Sequence, residues 1–194
     1  MNGRMGSDAR KAQVLGTALK IVHQSGISAL TLRQIANDVG VSEAALFRHF
    51  KSKEDIVNAL AIKVFEENQF VPRGDGPWET LQNMMTWQLA LFQDNPMHTS
   101  VLFQEDLFRD FPVVKERFDL RRRSRSSLIN QLVKGGQSDG TFSPEVDGEA
   151  FAILFMGSIR MAVLEWRQAN FSYDLRSNGP PLLYLLRKGL EGRQ

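Results

Sequence analysis

Leu30 to Ile56 reads LTLRQIANDVGVSEAALFRHFKSKEDI, two short helical patterns joined by a three-residue turn and followed by a third. Thr31 and Gln34 stand at capping-box spacing, where a threonine hydroxyl and a glutamine side chain can satisfy each other's orphan backbone donors. Ile35, Ala36 and Val39 give that helix one apolar face. Gly40 tolerates a left-handed backbone and Ser42 is a fresh N-cap, so the chain turns sharply and starts a new helix, predicting a helix-turn-helix. On the new helix, Ser42 to Phe50, Leu46 and Phe50 lie four apart and face inward, whereas Glu43, Ala44, Phe47 and Arg48 point away. Its outer face is small, basic and aromatic. Ala44 and Ala45 keep it slim enough for a major groove about 12 Å wide. Ser52 then caps a fourth helix with Asp55 at the box position, and Ile56, Ala59, Leu60 and Val64 carry its stripe toward residue 68.

Working outward, Asp8 is placed to cap a first helix that ends at Gly26, with Leu15, Ala18, Leu19 and Val22 forming its stripe. Pro72, Gly74, Gly76 and Pro77 break the chain near residue 70. Beyond them helices are predicted over Trp78–Asp94, Met97–Arg109, Phe111 to Gly135–Gly136, Asp147–Asn170 and Pro180–Leu190, with a loop at Gln137–Ser143. No strand signal and no internal repeat are seen. The expected fold is all-α, with about nine helices. An N-terminal three-helix DNA-binding domain over residues 1–55 is linked by helix four to a larger helical domain over 56–194.

Composition narrows the function. The 194 residues are 42% hydrophobic and 24% charged, enough apolar content for an ordinary core. Cysteine is absent, which excludes disulfides, thiolate catalysis and cysteine-ligated metals. With no leader pattern and no apolar run of about 18 residues, neither secretion nor a membrane partner is expected, and the cytoplasm is the default location. Net charge is +2, but residues 1–55 carry eight Lys or Arg against five Asp or Glu. Most such excesses are solvated faces, so geometry has to decide what this one contacts.

The run from Leu30 to Ile56 closely resembles the DNA-binding domain of TetR-family transcriptional regulators. That pattern is a threonine-capped helix, a valine-serine turn, then leucine, tyrosine, any residue, histidine and phenylalanine, and a lysine opening helix four. The resemblance covers about the first 55 residues. It implies that Thr31 contacts phosphate and that Ser42, Glu43, Ala44 and Ala45 form the groove-facing start of the recognition helix. Phe47, Arg48 and His49 become its base and phosphate readers, and Lys53 a phosphate clamp. Helix starts and lysine ammonium groups suit phosphate on physical grounds too. Phe47 stands where the family generally has tyrosine, which removes one phosphate hydrogen bond but leaves a ring able to meet a thymine methyl. The alternative is that Phe47 and His49 pack between helices.

The later helices resemble the family in length, helical content and a terminal helix pair that forms a dimer bundle. The resemblance therefore implies a homodimer on a double-stranded DNA operator, and an inducer pocket between helices five and eight. Met84, Trp87, Phe103, Phe118 and Phe155 are the candidate lining for a small-molecule effector, although an apolar stripe at helical spacing also makes an ordinary core. Arg160 interrupts the most apolar helix and needs an acceptor, either a ligand carboxylate or phosphate or one of Glu105, Asp106 and Glu165. The arginines at 121, 122, 123 and 125 read as a solvated face, with a second DNA contact as the alternative.

No catalytic constellation is found. His23, His49 and His98 lie on separate helices, and no metal-ligand, P-loop or nucleophile-elbow spacing occurs. Neither an enzyme nor a cofactor nor a metal site is expected. A ligand-responsive repressor is the expected function. The alternative is a DNA-bound architectural or division-coordinating protein that answers to a protein partner.

Overall fold

The computed structural model describes residues 6–191, and among them the structure is helical without a strand. In chain order the α-helices are α1 (Ser7–Ser25), α2 (Leu32–Val39), α3 (Glu43–Leu46), α4 (Lys53–Glu67), α5 (Pro77–Asp94), α6 (Thr99–Leu102), α7 (Glu105–Asp110), α8 (Pro112–Ser138), α9 (Gly148–Gln168) and α10 (Gly179–Glu191). The chain divides into two compact units, the first taking residues up to Glu67 together with Met97–Arg117, the second Asn68–Pro96 and the chain from Phe118 onward.

The first unit contains α1 to α4, α6, α7 and a 3-10 turn at Ile27–Ala29. α1 is the hub and packs against α2, α4 and α6. Val14, Ala18, Val22, Leu30, Ile35, Leu46, Ile56 and Leu60 close its core. Gly40 takes the left-handed conformation (φ 74°, ψ 40°) that only glycine adopts without cost, and Val41 N–H then reaches back to the Ala36 carbonyl at 2.9 Å. Thr31 Oγ1 accepts from Gln34 N–H at 3.1 Å, and Ser42 Oγ from Ala45 N–H at 3.2 Å.

Local geometry departs from the sequence reading at several points. Gln34 does not reach back to the cap, because its amide donates to Asp38 one turn on, at 2.8 Å. A related pair forms at α4, where Ser52 Oγ accepts from Asp55 N–H and the Asp55 carboxylate accepts from the N–H of Lys51, the residue before Ser52, at 2.9 Å. Asp8 lies inside the first turn of α1, whose N-cap is Gly6. Helix three closes as an α-helix at Leu46, although His49 and Phe50 N–H both bond the Leu46 carbonyl and carry the turn to Phe50. The segment expected as one helix over Met97–Arg109 is two, parted by the extended backbone of Gln104 (φ −105°, ψ 109°), so ten α-helices are described in place of about nine.

The second unit holds α5, most of α8, α9, a 3-10 turn at Leu175–Asn178 and α10. α5 is central and packs against α9, α10 and the 3-10 turn. Leu81, Met84, Met85, Leu89, Phe151, Phe155, Val163 and Trp166 fill the core. Trp166 donates its indole N–H to the Tyr173 carbonyl at 2.7 Å and meets the Phe171 ring edge-on at 4.7 Å. Two glycines lie in close contacts: a Cβ on Gly136 would collide with the Phe142 ring of the following loop, and one on Gly148 of α9 with Asn130 Oδ1 of α8. Along α9 and α10, Ile153, Leu154, Met161, Tyr184 and Leu185 leave apolar surface exposed. No helix among the described residues is long and apolar enough to cross a membrane.

Candidate DNA interface and effector region

The turn between α2 and α3 sorts the candidate DNA residues by exposure. Leu46 and Phe50 are buried, which fixes the rotation of α3 and leaves Ser42, Glu43, Ala44, Phe47 and Arg48 on its exposed side. Ala45 and His49 are half-buried. Phe47 keeps 47% of its surface in solvent, a poor position for a residue whose purpose is packing. His49 Nδ1 lies 3.5 Å from Ser7 Oγ, a weak tie between the α3 turn and the start of α1. Thr31 is exposed, and its oxygen is the cap acceptor of α2, so the hydroxyl proton remains free to be donated outward. Lys53 is half-buried and its ammonium donates to the Ile27 carbonyl at 3.0 Å, a partner that sequence did not suggest. One of three N–H groups is used there.

The candidate effector residues do not form one cluster within a unit. Phe103 belongs to the first unit, while Met84, Trp87, Phe118, Phe155 and Arg160 belong to the second. Met84 and Phe155 are fully buried, Phe155 tilted against Phe151 at 6.2 Å. Trp87 is half-buried and its ring meets Phe70 at 5.5 Å. Arg160 is half-buried, two helical turns before Arg167, whose pKa is lowered by burial and then by the Arg160 charge. A depression of about 160 Å³ lined by Thr86, Leu89, Arg176, Gly179, Pro180 and Leu183 includes none of these residues. It is smaller than the roughly 300 Å³ at which small-molecule sites begin.

The arginine run behaves differently from the solvated face expected of it. Arg122 and Arg123 are exposed, but Arg121 and Arg125 turn inward. Arg121 Nη2 donates to the Asn68 carbonyl at 2.8 Å, and Arg125 Nη1 donates to Gln88 Oε1 at 2.6 Å. The available signal was spacing: Arg121, Arg125, Ile129 and Val133 recur every four residues, and the last two are fully buried. The arginines continue an apolar stripe.

Similarity to known proteins covers the helix-turn-helix and, more weakly, the whole chain. Residues 14–60 match the family model for bacterial regulatory proteins of the tetR family. The HTH-type transcriptional repressor KstR2 of Rhodococcus jostii is 24% identical over 95% of this chain and 93% of its own. The nucleoid occlusion factor SlmA of Vibrio campbellii is also 24% identical, over 92% and 93%. Among solved structures, the transcriptional regulator FadR of Bacillus subtilis in complex with stearoyl-CoA superposes with a TM-score of 0.71 at 18% identity, covering 92% of this chain and 98% of that one.

Proposed function

Since the chain belongs to the TetR family of transcriptional regulators, we propose that it is a ligand-responsive repressor, working in the cytoplasm as a homodimer released from a palindromic operator by a small apolar or amphipathic effector. The observation that carries this reading is the exposed face of α3, where Ala44, Phe47 and Arg48 project from a helix anchored by Leu46 and Phe50. Residues 1–55 serve as the DNA-binding domain and residues 56–194 as the effector and dimer domain. In the complex, Thr31 and Lys53 bind phosphate. Ser42, Glu43, Ala44 and Ala45 enter the major groove, with Phe47, Arg48 and His49 meeting bases or the adjacent backbone.

The exposed apolar residues of α9 and α10 are the dimer contact, since a second copy supplies the same surface and buries both. Within the second unit the effector region comprises Met84, Trp87, Phe118, Phe155 and Arg160. Because Met84 and Phe155 are packed in the core, the effector reaches them in a second packing of the domain. Its preference for that packing is what lowers affinity for the operator. FadR of Bacillus subtilis, seen with stearoyl-CoA, supports an effector with a long apolar part.

A second reading follows from the equal identity to SlmA, namely a DNA-bound protein that answers to a protein partner. Selection of duplexes from a genomic library, followed by titration of selected and random duplexes, tests the DNA-binding part. Native mass spectrometry of the purified protein tests for a retained small molecule. Equal affinity for every duplex would sink the regulator. A sequence-specific protein that retains nothing, and is released by no small molecule, would favour the second reading.

A further inference from the structure

We propose that Arg121, Arg125 and Gln88 form a site for an oxyanion head group, a carboxylate or a phosphate, on the effector. The inference rests on the ligand-responsive reading above and adds the charge of the ligand to it.

The donors come from two helices. α8 carries Arg121 and Arg125 one turn apart, and α5 carries Gln88. Arg125 is held by Gln88 Oε1 at 2.6 Å and, more loosely, by the Asn68 carbonyl at 3.5 Å. Both acceptors are neutral. Among the described residues Arg125 forms no ion pair, although its guanidinium is inset enough that burial, and secondarily Arg121, push its pKa down to about 10. A desolvated cation without a counter-charge is costly unless something neutralises it.

Gln88 supplies the second, independent observation. It is 2% exposed, and its Nε2 has no hydrogen-bond partner. The usual ambiguity of amide orientation is removed here by chemistry: arginine has donors only, so the oxygen must face Arg125 and the NH2 is the group left unsatisfied. The three side chains together offer guanidinium and amide N–H groups and two positive charges. An alcohol, amine or amide would leave the charge uncompensated. A carboxylate or phosphate oxygen satisfies the Gln88 NH2 and the guanidinium together, and charge-assisted bonds of this type are the strong ones. Phe70 and Trp87, in ring contact beside the same two backbone segments, supply apolar surface for the rest of such a molecule.

The test uses the full-length protein and three probes of one chain length, octanoate, octyl phosphate and octan-1-ol, together with inorganic phosphate. Binding is read by calorimetry and by the shift in melting temperature. Octanoate or octyl phosphate should bind wild type at least about tenfold more tightly than octan-1-ol, and comparing the two anions separates a carboxylate from a phosphate preference. Inorganic phosphate binding as tightly as octyl phosphate would mean that the apolar body contributes nothing, and would overturn an effector head-group site. Arg125→Met should weaken the better anion by about ten- to a hundredfold while leaving a cooperative melt, since the buried charge it removes offsets the Gln88 oxygen it leaves unpaired. Arg125→Lys should restore part of the affinity. Equal binding of the three octyl probes to wild type, no anion binding at all, or unchanged anion affinity in Arg125→Met would each overturn the site. A wild type that binds the anions through Arg125 yet binds no duplex specifically would leave the site standing and remove the repressor reading.

Discussion

Lys53 Nζ donates to the carbonyl oxygen of Ile27 at 3.0 Å, tying the first turn of α4 to the turn between α1 and α2. The same ammonium keeps two donors for a phosphate, so it can brace the DNA-binding unit and clamp the duplex at once. Lys53→Ala should therefore cost about 0.5–1.5 kcal/mol of stability from the lost internal bond. It should also weaken binding to operator and random duplexes alike and flatten the salt dependence by about one unit per half-site. Melting curves and anisotropy at several salt concentrations separate the two effects. Lower stability with unchanged salt slope would leave Lys53 a brace alone.

Arg48 tests the reading face. It is exposed beside Phe47, and Arg48→Ala should cost about 1–3 kcal/mol per half-site on the operator and much less on random DNA. The operator itself should show two-fold symmetry, with half-sites roughly 34–36 Å apart or somewhat more. Competition titration decides: an equal loss on both duplexes would move Arg48 from base edge to phosphate.

Dimerisation through α9 and α10 is checked where the surface is open. Leu186 is buried within the protomer, whereas Ile153 and Leu185 are 68% and 65% exposed. The double variant Ile153→Glu with Leu185→Glu should fold and sediment as a monomer, since two carboxylates per copy cannot be desolvated in the interface. A dimer at the same concentration would place the contact elsewhere.

Acidification should destabilise the first unit through His98. Burial lowers its pKa below the ordinary 6.5, outweighing Glu67, which raises it from 3.2 Å away, while Lys63 lowers it further. The folded state thus prefers neutral imidazole more than the unfolded chain does. Its contribution is complete above about pH 6.5 and is lost as pH falls through that value toward the folded-state pKa. Chemical denaturation of wild type and His98→Gln across this range should show a steeper acid loss for wild type. Parallel curves would assign the acid sensitivity to other groups.

How far the sequence foretold all this depends on the range of the interaction. Gly40, Thr31, Ser42 and Ser52 act within one turn of themselves, so the helix-turn-helix and its caps were readable from residue type and spacing alone. Gln34 and Asp38 show the limit even at short range, because two local partners competed for one amide and the pattern did not say which would win. The inward turn of Arg121 and Arg125 depends on what lies across the fold. An arginine in an apolar stripe is legible as an anomaly; that its partners are Asn68 and Gln88 is not.

Gly136 has a practical consequence for genetics. It stands where a side chain would strike the buried Phe142 ring, so even alanine forces a packed neighbour to move, at a cost of about 1–3 kcal/mol. A mutant screen for derepression should return this position together with Arg48, though it lies in α8. The distinguishing mark is temperature: colonies altered at 136 should regain repression when grown cool, whereas those altered at Arg48 should not.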